Sequence, residues 1–147
     1  ASPVRTLLGE AAVILLLTAA LAAILTMLST LLTNRAVSAS AAMLLMLGLL
    51  VLASVLYNAL CEPEMGSSVV ITASGFVPGE SIPNPSYVGG TLRTVYRFIV
   101  DALPTGQSIL LANGELERPL LSLSASAVLA VLCSAVGMAA FRRKNLK

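Results

Sequence analysis

The chain contains no histidine and no tryptophan. Without histidine it lacks the commonest metal ligand and the commonest general base. Charge is scarce as well, at 11% of residues, where a soluble domain carries about 25%. That deficit, with charge-free runs longer than about 18 residues, excludes an ordinary soluble domain and places the chain in the membrane class. The net charge of +2 is small and its positive residues cluster at one end. It therefore reads as an orientation signal rather than a nucleic-acid surface. There are two cysteines, Cys61 and Cys133. One falls at the end of a predicted span and the other well inside another, so the rise along a helix keeps them far apart in depth and no disulfide is expected.

Familiar chemistry is missing too. The sequence has no phosphate-binding glycine loop, no metal-ligand cluster, no paired catalytic carboxylates and no nucleophile with a base. No enzymatic activity is expected of it. No predicted span holds an Asp, Glu, Lys or Arg. Proton- and sodium-coupled carriers keep such groups despite their cost in lipid. A carrier built this way would draw its energy from elsewhere, and ATP hydrolysis by a partner is the natural source.

What the chain does have is length without charge. Ala11 to Leu32 is 22 residues, about 33 Å of helix and enough to cross a bilayer core. Thr33, Asn34 and Arg35 make a polar turn. A second run, from Ala36 to Cys61, is again of span length, with Tyr57 near its far end at a depth that suits an amphipathic ring. Residues 1–61 thus predict a transmembrane helical hairpin with spans at about 11–32 and 37–60. Residues 119–147 predict a final span, opened by Pro119, and a basic tail of Arg142, Arg143, Lys144 and Lys147. Ser122, Ser126, Ala130 and Ser134 form a small-residue stripe along that span and predict a helix-packing face.

Between the spans lies a polar insert, residues 62–118. Glu62, Pro63 and Glu64 stop the second helix. These two carboxylates are too few for a calcium site. Val69–Ile71 and Gly75–Pro78 read as a short strand or an ordered loop. After the Gly89–Gly90 corner, Leu92, Val95, Tyr96, Ile99 and Leu103 share one face of an amphipathic helix at about 91–103. Arg93, Arg97 and Asp101 share another, which predicts a face toward water or a partner. Pro104 ends the helix. Ser108–Ala112 is too short to cross a bilayer, so it dips between the spans or caps them. The fold class expected is an all-α membrane protein: three transmembrane helices, with an extracytoplasmic insert of short helices between the second and third.

The basic tail assigns sides. Its cations favour the cytoplasm, which leaves the insert outside, the Arg35 turn inside and the N-terminus outside. An outward N-terminus without an initiator methionine predicts further sequence upstream, with a mature chain left after signal-peptide removal as the competing explanation.

Four stretches carry a resemblance: TNRAVSA at the first turn, YNALCEPEM leaving the second span, PNPSYVGGTLRTVYRFIVDALPTGQ in the insert, and FRRKNLK at the end. In these the chain resembles the C-terminal half of ATP-binding-cassette (ABC) transporter permeases of the type-2 exporter class. Cys61 departs from the pattern, standing where a small polar residue is more usual. The resemblance implies spans four to six of a six-span permease half in the plasma (inner) membrane. It implies a second permease subunit, identical or different, and a separate ATP-binding subunit that carries ATP and magnesium. No cofactor is expected in this chain, and no nucleic acid. The inner helix that usually receives the ATPase lies upstream of the matched region. In such a half the insert forms the lid of the exit, and its outer-lid residues here would be Tyr87, Arg93, Tyr96, Arg97, Asp101, Pro104, Gly106 and Gln107. A different class competes, a non-transport membrane scaffold or immunity-type protein with permease-like architecture.

Overall fold

A computed structural model of the chain describes residues 3–145. Ala1 and the tail cation Lys147 lie outside the described residues. Seven elements follow in order: α1 (Pro3–Leu31), α2 (Arg35–Cys61), β1 (Met65–Thr72), β2 (Gly75–Pro83), α3 (Gly90–Ala102), α4 (Pro104–Asn113) and α5 (Pro119–Asn145). The helices α1, α2 and α5 are long and apolar enough to cross a membrane. Each begins with a residue suited to a helix start. Pro3 and Pro119 have no amide hydrogen to strand in the first turn. Asn34 caps α2, its side-chain oxygen accepting from the Ala36 amide at 2.9 Å.

The main helix seam joins α1 to α5. On α1 the buried residues are Val13, Leu17, Ala20 and Ile24, a recurrence of four, three and four that holds one face toward a neighbour. On α5 they are Ser122, Ser126, Cys133 and Gly137, all small. Small side chains let the backbones close up, which is how helices gain contact where lipid offers no hydrophobic drive. At Gly137 a β-carbon would already touch the Met27 α-carbon at 3.6 Å and the Thr30 hydroxyl at 3.5 Å. At the other end Pro119 lies beside Gly9 and Glu10. The two helices therefore run parallel, with α2 as the return path. That places the Asn34 turn and Arg142–Lys144 at one end of the bundle and residues 62–118 at the other. Elsewhere the long helices leave large apolar side chains uncovered, including Met43, Leu44, Leu47 and Val55 of α2. Hydrocarbon surroundings suit such a surface; water does not.

The all-α expectation is corrected in the insert. Met65–Thr72 and Gly75–Pro83 pair as an antiparallel hairpin, in register from Met65 opposite Pro83 to Thr72 opposite Gly75, with an irregularity between Ser67 and Val69. β-branched Val69, Val70, Ile71 and Thr72 favour the extended chain. Gly75 supplies the positive φ, +119°, that the turn needs. Asn84 closes the hairpin's base, donating to Glu62 at 2.9 Å and to the Pro63 carbonyl at 3.0 Å. The ribbon is exposed along nearly its whole length.

The two short helices form a wedge against the bundle. Near the start of α3, Arg93 donates to the Leu60 carbonyl at 2.9 Å, at the last turn of α2. At the start of α4, the Thr105 hydroxyl donates to the Leu49 carbonyl at 2.9 Å. Leu49 lies about 18 Å below the end of α2 at the helical rise of 1.5 Å per residue. Farther along α4, Asn113 donates to the Tyr57 hydroxyl at 3.0 Å. The chain thus descends beside α2, turns, and climbs again. The segment Ser108–Ala112 belongs to the climbing arm.

Candidate functional site

The turn of the wedge is made by a helix break. Leu103 leaves helical geometry (φ −73°, ψ 134°), and Pro104 opens α4. Proline has no amide hydrogen to return to α3, so the last carbonyls of α3 need partners from elsewhere. Gln107, fully buried, supplies them. Its side-chain amide lies 3.0 Å from the Asp101 carbonyl, 3.4 Å from that of Ala102 and 3.2 Å from that of Ser122. Its oxygen accepts from the Ser126 hydroxyl at 2.9 Å. Ser122 donates to the Asp101 carbonyl at 3.3 Å. One side chain thus caps α3 and ties the turn to α5. Gly106 permits the closeness, since a β-carbon there would come within 2.9 Å of the Val100 α-carbon, nearer than real contacts allow.

Beside this knot opens a pocket of about 440 Å³ lined by Tyr57, Arg97, Asp101, Glu115 and Glu117, with Leu60, Val100 and Leu110 as apolar wall. Arg97 forms a close ion pair with Glu117. Tyr57 donates to Glu115 at 2.7 Å. Asp101 is buried, at 5% exposure, and one carboxylate oxygen, Oδ2, has no hydrogen-bond donor among the described residues. Arg118, half exposed, stands 3.8 Å from it, beyond hydrogen-bond reach. Burial pushes the Asp101 carboxyl up from the ordinary range, and Glu117 adds to the rise. Arg118 and Arg97 pull the other way without cancelling it.

The sequence-derived residues fall into distinct places. Asp101, Pro104, Gly106 and Gln107 meet at the buried turn. Tyr96, half-buried, packs against the small core of Leu56, Val100 and Leu110. Arg93 also bonds the Val88 carbonyl at 3.2 Å and lies over the Tyr87 ring, 5.1 Å from its centre. The predicted polar face of Arg93, Arg97 and Asp101 is corrected by this placement: Arg93 is consumed by backbone and Tyr87, and Asp101 points inward. The apolar face shifts accordingly. Leu92 and Val95 are exposed, while Val100 takes the buried position. On α5, Ser122 and Ser126 belong to the knot and are buried, Ala130 is half-buried and Ser134 is exposed. Ser134 lines a mostly apolar groove of about 1150 Å³ along the α1–α5 seam near Arg142, remote from the wedge. Sequence reasoning missed Thr105, Arg118 and the Tyr57–Glu115 contact. Only the Pro104 break, which leaves carbonyls in want of donors, pointed toward a nearby side-chain cap.

No family model, no curated protein and no solved structure matches this chain.

Proposed function

We propose that the chain is the C-terminal part of the membrane permease subunit of an ATP-driven transporter of the ABC type-2 class, acting as an exporter. Three spans would line half of a translocation path, with the basic tail in the cytoplasm of a cell whose plasma membrane holds them. The wedge α3–α4 would be the outer lid. A second permease half would complete the path, and a separate ATP-binding subunit would drive it. ATP and magnesium would sit on that subunit.

The observation that carries this reading is the coincidence of two independent features. The stretch with the most specific resemblance, Pro83–Gln107, is also the one that folds into the wedge whose turn is fastened to α5 by Gln107. A lid has to be tied to a span if movement of that span is to open it.

The test is biochemical. The full-length protein is purified with its membrane partners and assayed for a bound P-loop ATPase whose turnover rises with a transported compound. Co-purification with substrate-stimulated turnover is the expected result. A protein that recruits no ATPase favours the scaffold or immunity-type class instead.

A further inference from the structure

We propose that Asp101 is a proton-binding site, exchanging with the water of the adjoining pocket, and that its occupancy decides how tightly the α3–α4 turn stays seated on α5. This rests on the geometry of the turn and stands whether or not an ATPase drives the protein.

Three observations meet at this carboxyl. It is almost wholly buried, and an ionised carboxylate without donors is expensive in such a place. Its Oδ2 has no donor among the described residues, although the same residue's carbonyl is held by both Gln107 and Ser122. Arg118 stops at 3.8 Å with half its side chain in solvent, and the nearby Arg97 is already paired with Glu117. The backbone of Asp101 is thus fixed to the knot while its side chain is left short of partners. Two states answer this. With a proton the carboxyl is neutral and remains where it is. Without one it is drawn toward Arg118 and the pocket, and that pull acts on the residue whose carbonyl ties α3 to Gln107 and α5.

The neighbouring charges set the sense of each substitution. On α3 itself Arg97 lies near, already paired with Glu117. The segment before α5 contributes Glu117 and Arg118, and the pocket rim adds Glu115, Tyr57 and Arg93. Neither Gln107 of α4 nor Ser122 of α5 titrates. The fold binds the proton more firmly than an unfolded chain does, so the turn is most stable on the acid side and loosens as pH rises through the native titration. Arg118→Gln removes a cation that favours the ionised form and moves the transition to higher pH. Glu117→Gln removes an anion and moves it lower.

The experiment uses the whole chain in lipid nanodiscs. Amide hydrogen exchange over residues 99–107 is followed against pH and corrected for the intrinsic pH dependence of exchange. Protection should fall as pH rises in the wild type, whereas Asp101→Asn, a neutral isostere, should hold the acid level of protection throughout. Wild-type carbon NMR of the Asp101 carboxyl supplies a measurement free of any folding defect, and its midpoint should lie above the unperturbed value of about 3.9. A midpoint at or below that value overturns the proposal. So does corrected protection that is flat with pH, or an Asp101→Asn variant that keeps the wild-type step.

Discussion

At the scale of single residues, Gln107 fills a role that its sequence position barely announces. A neutral amide in a polar insert reads as surface. Yet its two amide hydrogens are shared among three carbonyls and its oxygen takes a serine hydroxyl. Gln107→Leu keeps the volume and strands those groups. Each buried group left without a partner costs about 1–3 kcal/mol, although neighbouring losses do not add simply. A helical melt by circular dichroism in detergent should show a clear drop in midpoint, and an unchanged midpoint would refute the capping role. Gly106→Ala should destabilise for a different reason, because the added methyl meets the Val100 backbone rather than a side chain that could turn aside. Arg97 and Asp101 show where sequence reading went astray. Their four-residue spacing fits an exposed helical ion pair. The packing of α3 against its neighbours leaves Arg97 paired with Glu117 and Asp101 buried, and spacing along one helix carries no information about that packing.

At the scale of elements, legibility followed length. The three long helices could be read because unbroken apolar runs of span length have few other uses. The hairpin could not be assigned, because Val69, Val70 and Ile71 sit side by side instead of alternating with polar residues. An isolated two-stranded ribbon is marginal in water, and this one makes no extensive contact with a helix among the described residues. Phe76→Ser, at a side chain 78% exposed, should therefore change bundle stability by no more than about 0.5 kcal/mol. The α1–α5 seam should respond in the opposite way. Gly137→Ala adds a methyl at ordinary contact distance from Met27 and Thr30 and should be tolerated. Gly137→Leu has to part the helices, and overpacking of this kind costs about 1–3 kcal/mol. A midpoint for the leucine variant equal to that of the alanine variant would show that the seam is looser than the contact distances indicate.

For the whole molecule, the parallel run of α1 and α5 fixes which segments share an end. Arg142, Arg143 and Lys144 gather beside the Asn34 turn and its Arg35, away from the acidic insert, which carries six acidic residues against three arginines. The bundle is thus polarised, and the side of the membrane that each end faces is a separate matter decided by charge. With Cys61 and Cys133 first replaced by alanine, single cysteines at Ser81 and Asn145 can be probed in intact cells and in inverted vesicles with a reagent that does not cross the bilayer. Ser81→Cys should react from outside, and Asn145→Cys only once the cytoplasmic face is opened. The reverse pattern would turn the whole bundle over and put the α3–α4 wedge at an entrance on the inner face. Reaction of both from one side would be more damaging. A single long helix, α5, separates these two positions, so a shared side means that α5 does not span.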